Sequence, residues 1–368
     1  MRASLYTGKV RAYLRRNRIP TLERGAGHPE FASTIVPEIG RFIMPVVVMP
    51  DGTVVQDGTD ILDYLEGEGL GREPLYPDDA VLRAISLLFE LFGNEGLLRP
   101  AMHYRWNFDD RNLAFIRHAF DDVLPAGMSE AQRGAMFDHA SGRMRKAGRM
   151  FGVSKETEAL IEDAYADFLA RFDAHLHHTP FLLGDRPTIG DYGLFNPLYA
   201  HLARDPVPGD IMRRTAPRVF RWTERMNSPE AVEEHNQPAP DGLFARDGLP
   251  DTLLSLMEYV AEEYLPEITA HIAFTNEWLA DPDSDVENFP RSIGRAEFPW
   301  RGARIQTAVM PYRIYLLQRL TDHVARASDH DRAAIHALFE RAGLAPLLSL
   351  RANRRIERRN HREVWADD

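Results

Sequence analysis

Residues 103–106 read His103-Tyr104-Arg105-Trp106, an imidazole, a phenol, a guanidinium and an indole in a row. Such a run can hold a polar aromatic ligand or simply pack a helix end. His175, His177 and His178 carry metal-binding groups, but near neighbours on a helix point in different directions. A cationic histidine at a helix C-terminus is favourable without any metal, so no metal site is expected. Asp281-Pro282-Asp283-Ser284-Asp285 lacks the glycine and distal glutamate of a calcium loop and reads as plain loop. Six arginines lie between Arg351 and Arg362, yet Glu357 interrupts them and the net charge of the chain is −11. A solvated or dimer-contacting tail is expected there, with no nucleic acid as partner. Neither a G-x-x-x-x-G-K-S/T phosphate loop nor a G-x-S-x-G elbow occurs. The 368 residues include no cysteine, which excludes disulfides, a protein thiolate nucleophile and cysteine-ligated metals.

The elements that must position any site follow from pattern. A hydrophobic content of 44% is that of a globular chain. No apolar run is long enough to span a membrane, and residues 1–19 hold six Lys/Arg and no apolar core of a leader. A cytoplasmic protein is expected. Residues 1–6 could open as a strand. Val10, Tyr13 and Leu14 then mark an amphipathic helix over Lys9–Asn17, stopped by Ile19-Pro20. Residues 21–41 read as loop. Two β-branched runs, 44–49 and 53–55, flank Asp51-Gly52 and predict a hairpin. Ile61, Leu62 and Leu65 predict a helix over 59–65. Pro45 opens a buried-looking strand, a place where a cis bond is common.

From residue 79 the pattern is helical: 81–98, 112–120, 131–150, 157–177, 192–202 and 217–226. Thr188-Ile189-Gly190-Asp191 has the form of a capping box. Residues 227–251 read as a loop and the best boundary. Beyond it the pattern predicts a helix over 252–279, an acidic loop, an irregular piece at 290–308 and helices over 311–327 and 329–342. No internal repeat is visible.

This order resembles the glutathione S-transferase superfamily, on four local matches. Lys9-Val10-Arg11 with Ile19-Pro20 is similar to the first helix of the zeta and omega classes. Met44-Pro45 resembles the pair that carries the superfamily's cis-proline. Gln56-Asp57-Gly58-Thr59…Tyr64-Leu65 resembles the segment that holds the γ-glutamyl end of glutathione. Phe181 through Asp191 is similar to the folding motif of the helical domain. The resemblance implies an α/β thioredoxin-like domain over residues 1–77, an all-α transferase-type domain over 78–235, and a further mostly helical extension over 236–368 that it does not cover.

The resemblance also implies a chemistry. A hydroxyl at a helix N-terminus lowers the pKa of a bound thiol, aided by the helix dipole. Ser4 stands at the zeta-class serine, with Tyr6 and Thr7 as rivals. The omega-type cysteine route is closed, because there is no cysteine. Met44 and Pro45 would pair with the cysteinyl part of glutathione. Asp57, Gly58 and Thr59 would meet the γ-glutamyl end, with Gly58 at the usual serine. His103, Tyr104, Arg105 and Trp106 would face a second, electrophilic and aromatic or polyketide-sized substrate. Glutathione is the implied cosubstrate, and a homodimer the implied assembly. The competing expectation is a non-catalytic binding or scaffold protein that keeps this fold.

Overall fold

The computed structural model describes residues 4–228 and 241–367. Its first element is a helix, α1 (Leu5–Arg16), with Ser4 at the N-cap. This corrects the strand expected over residues 1–6: among the described residues the chain is helical from Leu5. Val10, Ala12, Tyr13 and Leu14 are buried, and α1 ends at Asn17 before Ile19-Pro20, as the pattern predicts. The expected loop at 21–41 is partly wound, with a π-turn at Phe31–Ile35 and the short α2 (Val36–Ile39). Met44-Pro45 is cis. The hairpin forms from β1 (Val46–Val48) and β2 (Val54–Gln56), antiparallel, with Asp51-Gly52 at its tip. Then comes α3 (Gly58–Gly67), capped by Asp57, whose carboxylate accepts from the N–H groups of Thr59 and Asp60.

The helical body follows as α4 (Ala80–Leu91), α5 (Leu98–Trp106), α6 (Asp109–Asp121), α7 (Glu130–Gly148), α8 (Glu158–His175), α9 (Ile189–Pro197), α10 (Pro206–Thr215) and α11 (Pro217–Asn227). A π-turn at Phe92–Gly96 separates α4 from α5, breaking the run expected over 81–98. The capping box at the start of α9 forms: Asp191 accepts from the Thr188 N–H at 2.9 Å. Asp191 also accepts from the Leu182 N–H at 2.9 Å and from Trp222 Nε1 at 3.2 Å, tying two loops to α11. The backbones of α4 and α9 nearly touch. A Cβ on Gly93 would lie 2.3 Å from the Leu194 nitrogen, and one on Gly193 would lie 2.6 Å from Glu90 Cα, so only glycine fits at this crossing.

The C-terminal portion holds α12 (Asp251–Glu263) and α13 (Leu265–Ala280), then the hairpin of β3 (Gly294–Trp300) and β4 (Ala303–Val309). After it come α14 (Pro311–Arg326), α15 (Asp329–Arg341) and a last hairpin, β5 (Ile356–Arg359) with β6 (Arg362–Trp365). The single helix expected at 252–279 is two, divided at Tyr264 just before Pro266, where proline starts a helix readily but cannot continue one. The irregular piece at 290–308 is a regular hairpin. The arginine-rich segment folds as β5–β6, burying Ile356 and Trp365, while Arg351, Arg355, Arg359 and Arg362 stay exposed. Trp365 packs on Trp278 and Phe289.

The described sheets are three two-stranded hairpins, joined to no common sheet. One apolar cluster runs from Val10 of α1 through α3, α4 and α9 to Leu317, Phe339 and Trp365. The C-terminal portion therefore shares its core with the rest and is not a separate body. Across α4 and α3 lies α14, and its contacts with α3 are polar.

Candidate functional site

The first turn of α1 carries the hydroxyls singled out in the sequence. Tyr6 is half-buried and donates to Glu95 Oε1 at 3.3 Å. Thr7 donates to Ser4 Oγ at 2.9 Å. Three predicted residues come together here. A Cβ on Gly58 would lie 3.5 Å from the Tyr6 carbonyl oxygen, 3.6 Å from Lys9 Cδ and 4.0 Å from Pro45 Cγ. Thus the start of α1, the turn at Met44-Pro45 and the N-terminus of α3 meet at one point, although Tyr6 and Gly58 are far apart in sequence. Thr7, Met44 and Pro45 also border a groove of about 890 Å³, lined further by Val10, Leu14 and Ile35.

Asp57 and Thr59 are already engaged. Asp57 has φ 91°, a region that non-glycine residues rarely adopt, and its Oδ1 accepts from the Thr59 N–H at 2.9 Å and from the Tyr312 hydroxyl at 3.0 Å. Thr59 is fully buried. Its hydroxyl accepts from Lys9 Nζ and donates to Glu90 Oε1, each at 2.9 Å. The positive end of α3 is thus met by the protein's own carboxylate and not left open for a ligand's.

Two buried ionic clusters lie behind this point. In the first, Lys9 and Glu90 pair at 2.8 Å with both side chains out of solvent. Arg319 of α14 adds a second cation to Glu90 at 3.2 Å and binds Asp63 and Tyr76. Burial would raise the Glu90 carboxyl, but Arg319 and Lys9 hold it below its usual range. In the second, Arg313 of α14 donates to Glu95 at 2.9 Å and also binds Glu267, which takes a further bond from Arg99 at 2.7 Å. His271, fully buried beside them, hydrogen-bonds Thr307 at 2.8 Å. Burial raises Glu95, and Arg313 opposes it without cancelling it, so its carboxyl stands above the usual range. Burial would raise Glu267 too, but Arg313 and Arg99 bring it down to about 2. Burial, then Arg313, depress His271 to about 3, so it is neutral. Burial, then Glu95, push the Tyr6 phenol well up.

A further polar seam fastens α14 to α3. Asp57, Asp60 and Asp63 recur every three residues on α3, and α14 answers with Tyr312, Tyr315 and Arg319. Arg358 of the last hairpin adds a bond to Asp60 at 2.8 Å and another to Gln56. Burial, then Asp57, raise Asp60 to about 6.

His103, Tyr104, Arg105 and Trp106 lie on α5 and engage partners other than the Tyr6 group. All four are buried. His103 hydrogen-bonds Glu162 at 3.0 Å. Tyr104 stacks on Phe108 with ring centroids 5.6 Å apart. Arg105 forks onto Asp205 with two bonds of 2.7 Å, and Trp106 lies under Arg145. The Trp106 indole N–H is buried with no hydrogen-bond partner among the described residues. His175 turns into the core onto Leu182 and Thr252, while His177 and His178 face solvent.

Glu90, Glu95, Arg313 and Arg319 were not singled out in the sequence. The one available signal was that Glu90 and Glu95 interrupt the apolar run 81–98. A charge inside such a run must either be paired or break the helix.

Residues 154–225, spanning α8 to α11, match the family model of the glutathione S-transferase C-terminal domain. That match is confined to this stretch of the chain. Among solved structures it is similar to a glutathione S-transferase of Methylobacterium radiotolerans, crystallised with glutathione sulfonate. That likeness has 20% identity, covers 66% of this chain and 94% of that one, and has a TM-score of 0.35. A glutathione S-transferase of Rhodospirillum rubrum is 18% identical over 66% and 94% of the two chains, with a TM-score of 0.39. The glutathione transferase of Phanerochaete chrysosporium is 18% identical over 63% and 92%, with a TM-score of 0.43. No curated protein matches the chain. These structural likenesses are loose, and the family match is that of residues 154–225.

Proposed function

We propose that this chain is a glutathione-dependent enzyme that activates the thiol at the first turn of α1 and directs it at an electrophilic small molecule. The observation that carries this reading is the meeting of Tyr6, Pro45 and Gly58 at one point, beside a helix start that favours a thiolate. Tyr6 is the hydroxyl assigned to the thiol in this reading, with Ser4 and Thr7, hydrogen-bonded to each other in the same turn, as alternatives. Met44 and Pro45 would take the cysteinyl part of glutathione, and Asp57, beside Gly58, the amino group of its γ-glutamyl end, since the α3 N-terminus is already met by the Asp57 carboxylate. The electrophile would enter the groove bordered by Thr7, Met44 and Pro45, whose lining is largely apolar. Residues 1–77, 78–235 and 236–368 are read as a thioredoxin-like unit, a helical transferase unit and an extension. The reading places the enzyme in the cytoplasm, as a homodimer.

A second reading has one observation in its favour. Tyr312 and Thr59 already engage the Asp57 carboxylate, which suits a protein that keeps the fold as a scaffold and has given up the thiol. Titration calorimetry with glutathione decides between them. Binding in the micromolar-to-millimolar range that weakens in Tyr6→Phe supports the enzyme, and no heat at millimolar glutathione removes it in favour of the scaffold.

A further inference from the structure

The Tyr6 hydroxyl has one hydrogen, and that hydrogen is given to Glu95. An O–H committed to a carboxylate cannot at the same time be donated to a sulfur. What the phenol oxygen offers outward is a lone pair, which accepts a proton. Glu95 is on the π-turn at Phe92–Gly96, where an extra residue in the helix re-aims a side chain. Its second oxygen takes the Arg313 guanidinium at 2.9 Å, so the carboxylate is fixed from behind while its front oxygen faces Tyr6.

The charges around it are nearly closed on themselves. With Glu95 ionised, Arg313 and Arg99 balance Glu95 and Glu267, and His271 is neutral. If Glu95 takes a proton, the same cluster carries one net positive charge. That charge appears behind the Tyr6 hydroxyl, which the proposed function assigns to the thiol, and it is the counter-charge a thiolate needs.

Resting on the reading given under Proposed function, we propose that Glu95 is the proton acceptor for the bound thiol, reached through Tyr6. The S–H bond breaks and its proton joins the Tyr6 oxygen. The proton of the Tyr6 O–H passes in the same step to Glu95 Oε1. Sulfur keeps the electron pair, so the products are a thiolate, an intact phenol and a neutral carboxylic acid, with no oxidant or further reactant. Glu95 acts through Tyr6 and is therefore a positioning and proton-accepting residue. The extension contributes Arg313, which aims it. The ionisable groups facing this carboxylate are Tyr6 of α1, Arg313 and Tyr312 of α14, Tyr264 between α12 and α13, and Arg291 of the loop before β3; Glu267 lies beyond Arg313. Burial raises Glu95, which makes it a stronger base than an exposed carboxylate.

The test uses the full chain and glutathione, with two readouts: calorimetric binding and the far-ultraviolet absorbance of the bound thiolate as a function of pH. In Glu95→Gln the midpoint for thiolate formation should rise by about one pH unit or more, and turnover at neutral pH should fall on the order of 10²-fold, while the glutathione dissociation constant stays within about twofold. Tyr6→Phe should raise the same midpoint, and the double variant should add little to either, because both cut one relay. If Glu95→Gln does not fold, Tyr6→Phe, which leaves the Glu95–Arg313 pair in place, decides alone. Glutathione binding with an unmoved midpoint in these variants overturns the relay but leaves the proposed function standing. A midpoint that moves in Ser4→Ala and not in Tyr6→Phe also overturns it. A parent chain that binds no glutathione overturns both.

Discussion

Arg313→Met is the most informative perturbation of stability. Arg313 is almost wholly buried and holds Glu95 and Glu267 from either side. Methionine keeps most of the stem's packing and removes the charge. The Glu267 carboxyl falls from 4.5 to about 2 in the folded chain, which corresponds to about 3 kcal/mol of stability at neutral pH. Arg99 and the burial cost share in that figure. Breaking a buried pair while leaving its carboxylates in place costs about 3–5 kcal/mol, so a loss of about 3 kcal/mol at pH 7 is expected. Its pH dependence has a fixed sign. A carboxylate depressed by folding contributes fully above its unfolded pKa and loses that contribution as pH falls toward its folded one. The parent therefore sheds this contribution between about pH 4.5 and 2, and the variant has none to shed. The deficit of Arg313→Met should be largest at neutral pH and shrink as pH falls below about 4.5. Urea titrations of both chains at neutral and acid pH read it directly. A deficit below about 1 kcal/mol at pH 7, or one that is unchanged at acid pH, would refute the claim that this guanidinium secures two buried charges.

Lys9→Met should cost about 3–5 kcal/mol, because it leaves Glu90 with Arg319 as its remaining cation; Lys9→Met/Glu90→Gln should recover part of the loss in the same urea titration. Asp191→Ala removes the acceptor of two backbone N–H groups and the Trp222 indole, for an expected loss of about 3 kcal/mol or more. Burial raises that carboxyl to about 6, so its charge is a cost above that pH and the cost lifts as pH falls through it; Asp191→Asn should lose this pH dependence in thermal melts. Gly58→Ser meets only ordinary contacts and supplies a hydroxyl at the start of α3. On the proposed function it should tighten glutathione about tenfold, the value of one hydrogen bond to a charged group, and unchanged calorimetric affinity would show that the γ-glutamyl end does not bind there.

Much of the frame was legible because it rests on local signals. Asp51-Gly52 between β-branched runs gave the hairpin, Thr188 with Asp191 gave the capped start of α9, and the periodicity at Val10, Tyr13 and Leu14 gave α1. Errors fell where local signals compete or end. Leu5 and Tyr6 have side chains that suit a strand, yet they form the first turn of α1. The arginines of 351–362 read as solvated by composition, and what draws Arg358 inward is Asp60, nearly three hundred residues away. The site divides in the same way. Tyr6, Pro45 and Gly58 could be placed through a resemblance of short segments, whereas Glu95 and Arg313 are single charged residues in apolar helical runs, and their pairing at a separation of 218 residues leaves no mark in either segment. For His103 to Trp106 the residue types suggested a ligand; the partners that His103 and Arg105 have within the chain, Glu162 and Asp205, were not legible in the sequence.

The aspartates at 57, 60 and 63 bear on how such a chain can change over generations. An acidic row on one helix face is tolerable only while Tyr312, Tyr315, Arg319 and Arg358 stand opposite it. Removing α14 and the last hairpin would strand these carboxylates, and Glu90 and Glu95 would lose a guanidinium each. The C-terminal portion is thereby entrenched: changes that remove it are tolerable only after the acidic residues beneath it have been replaced.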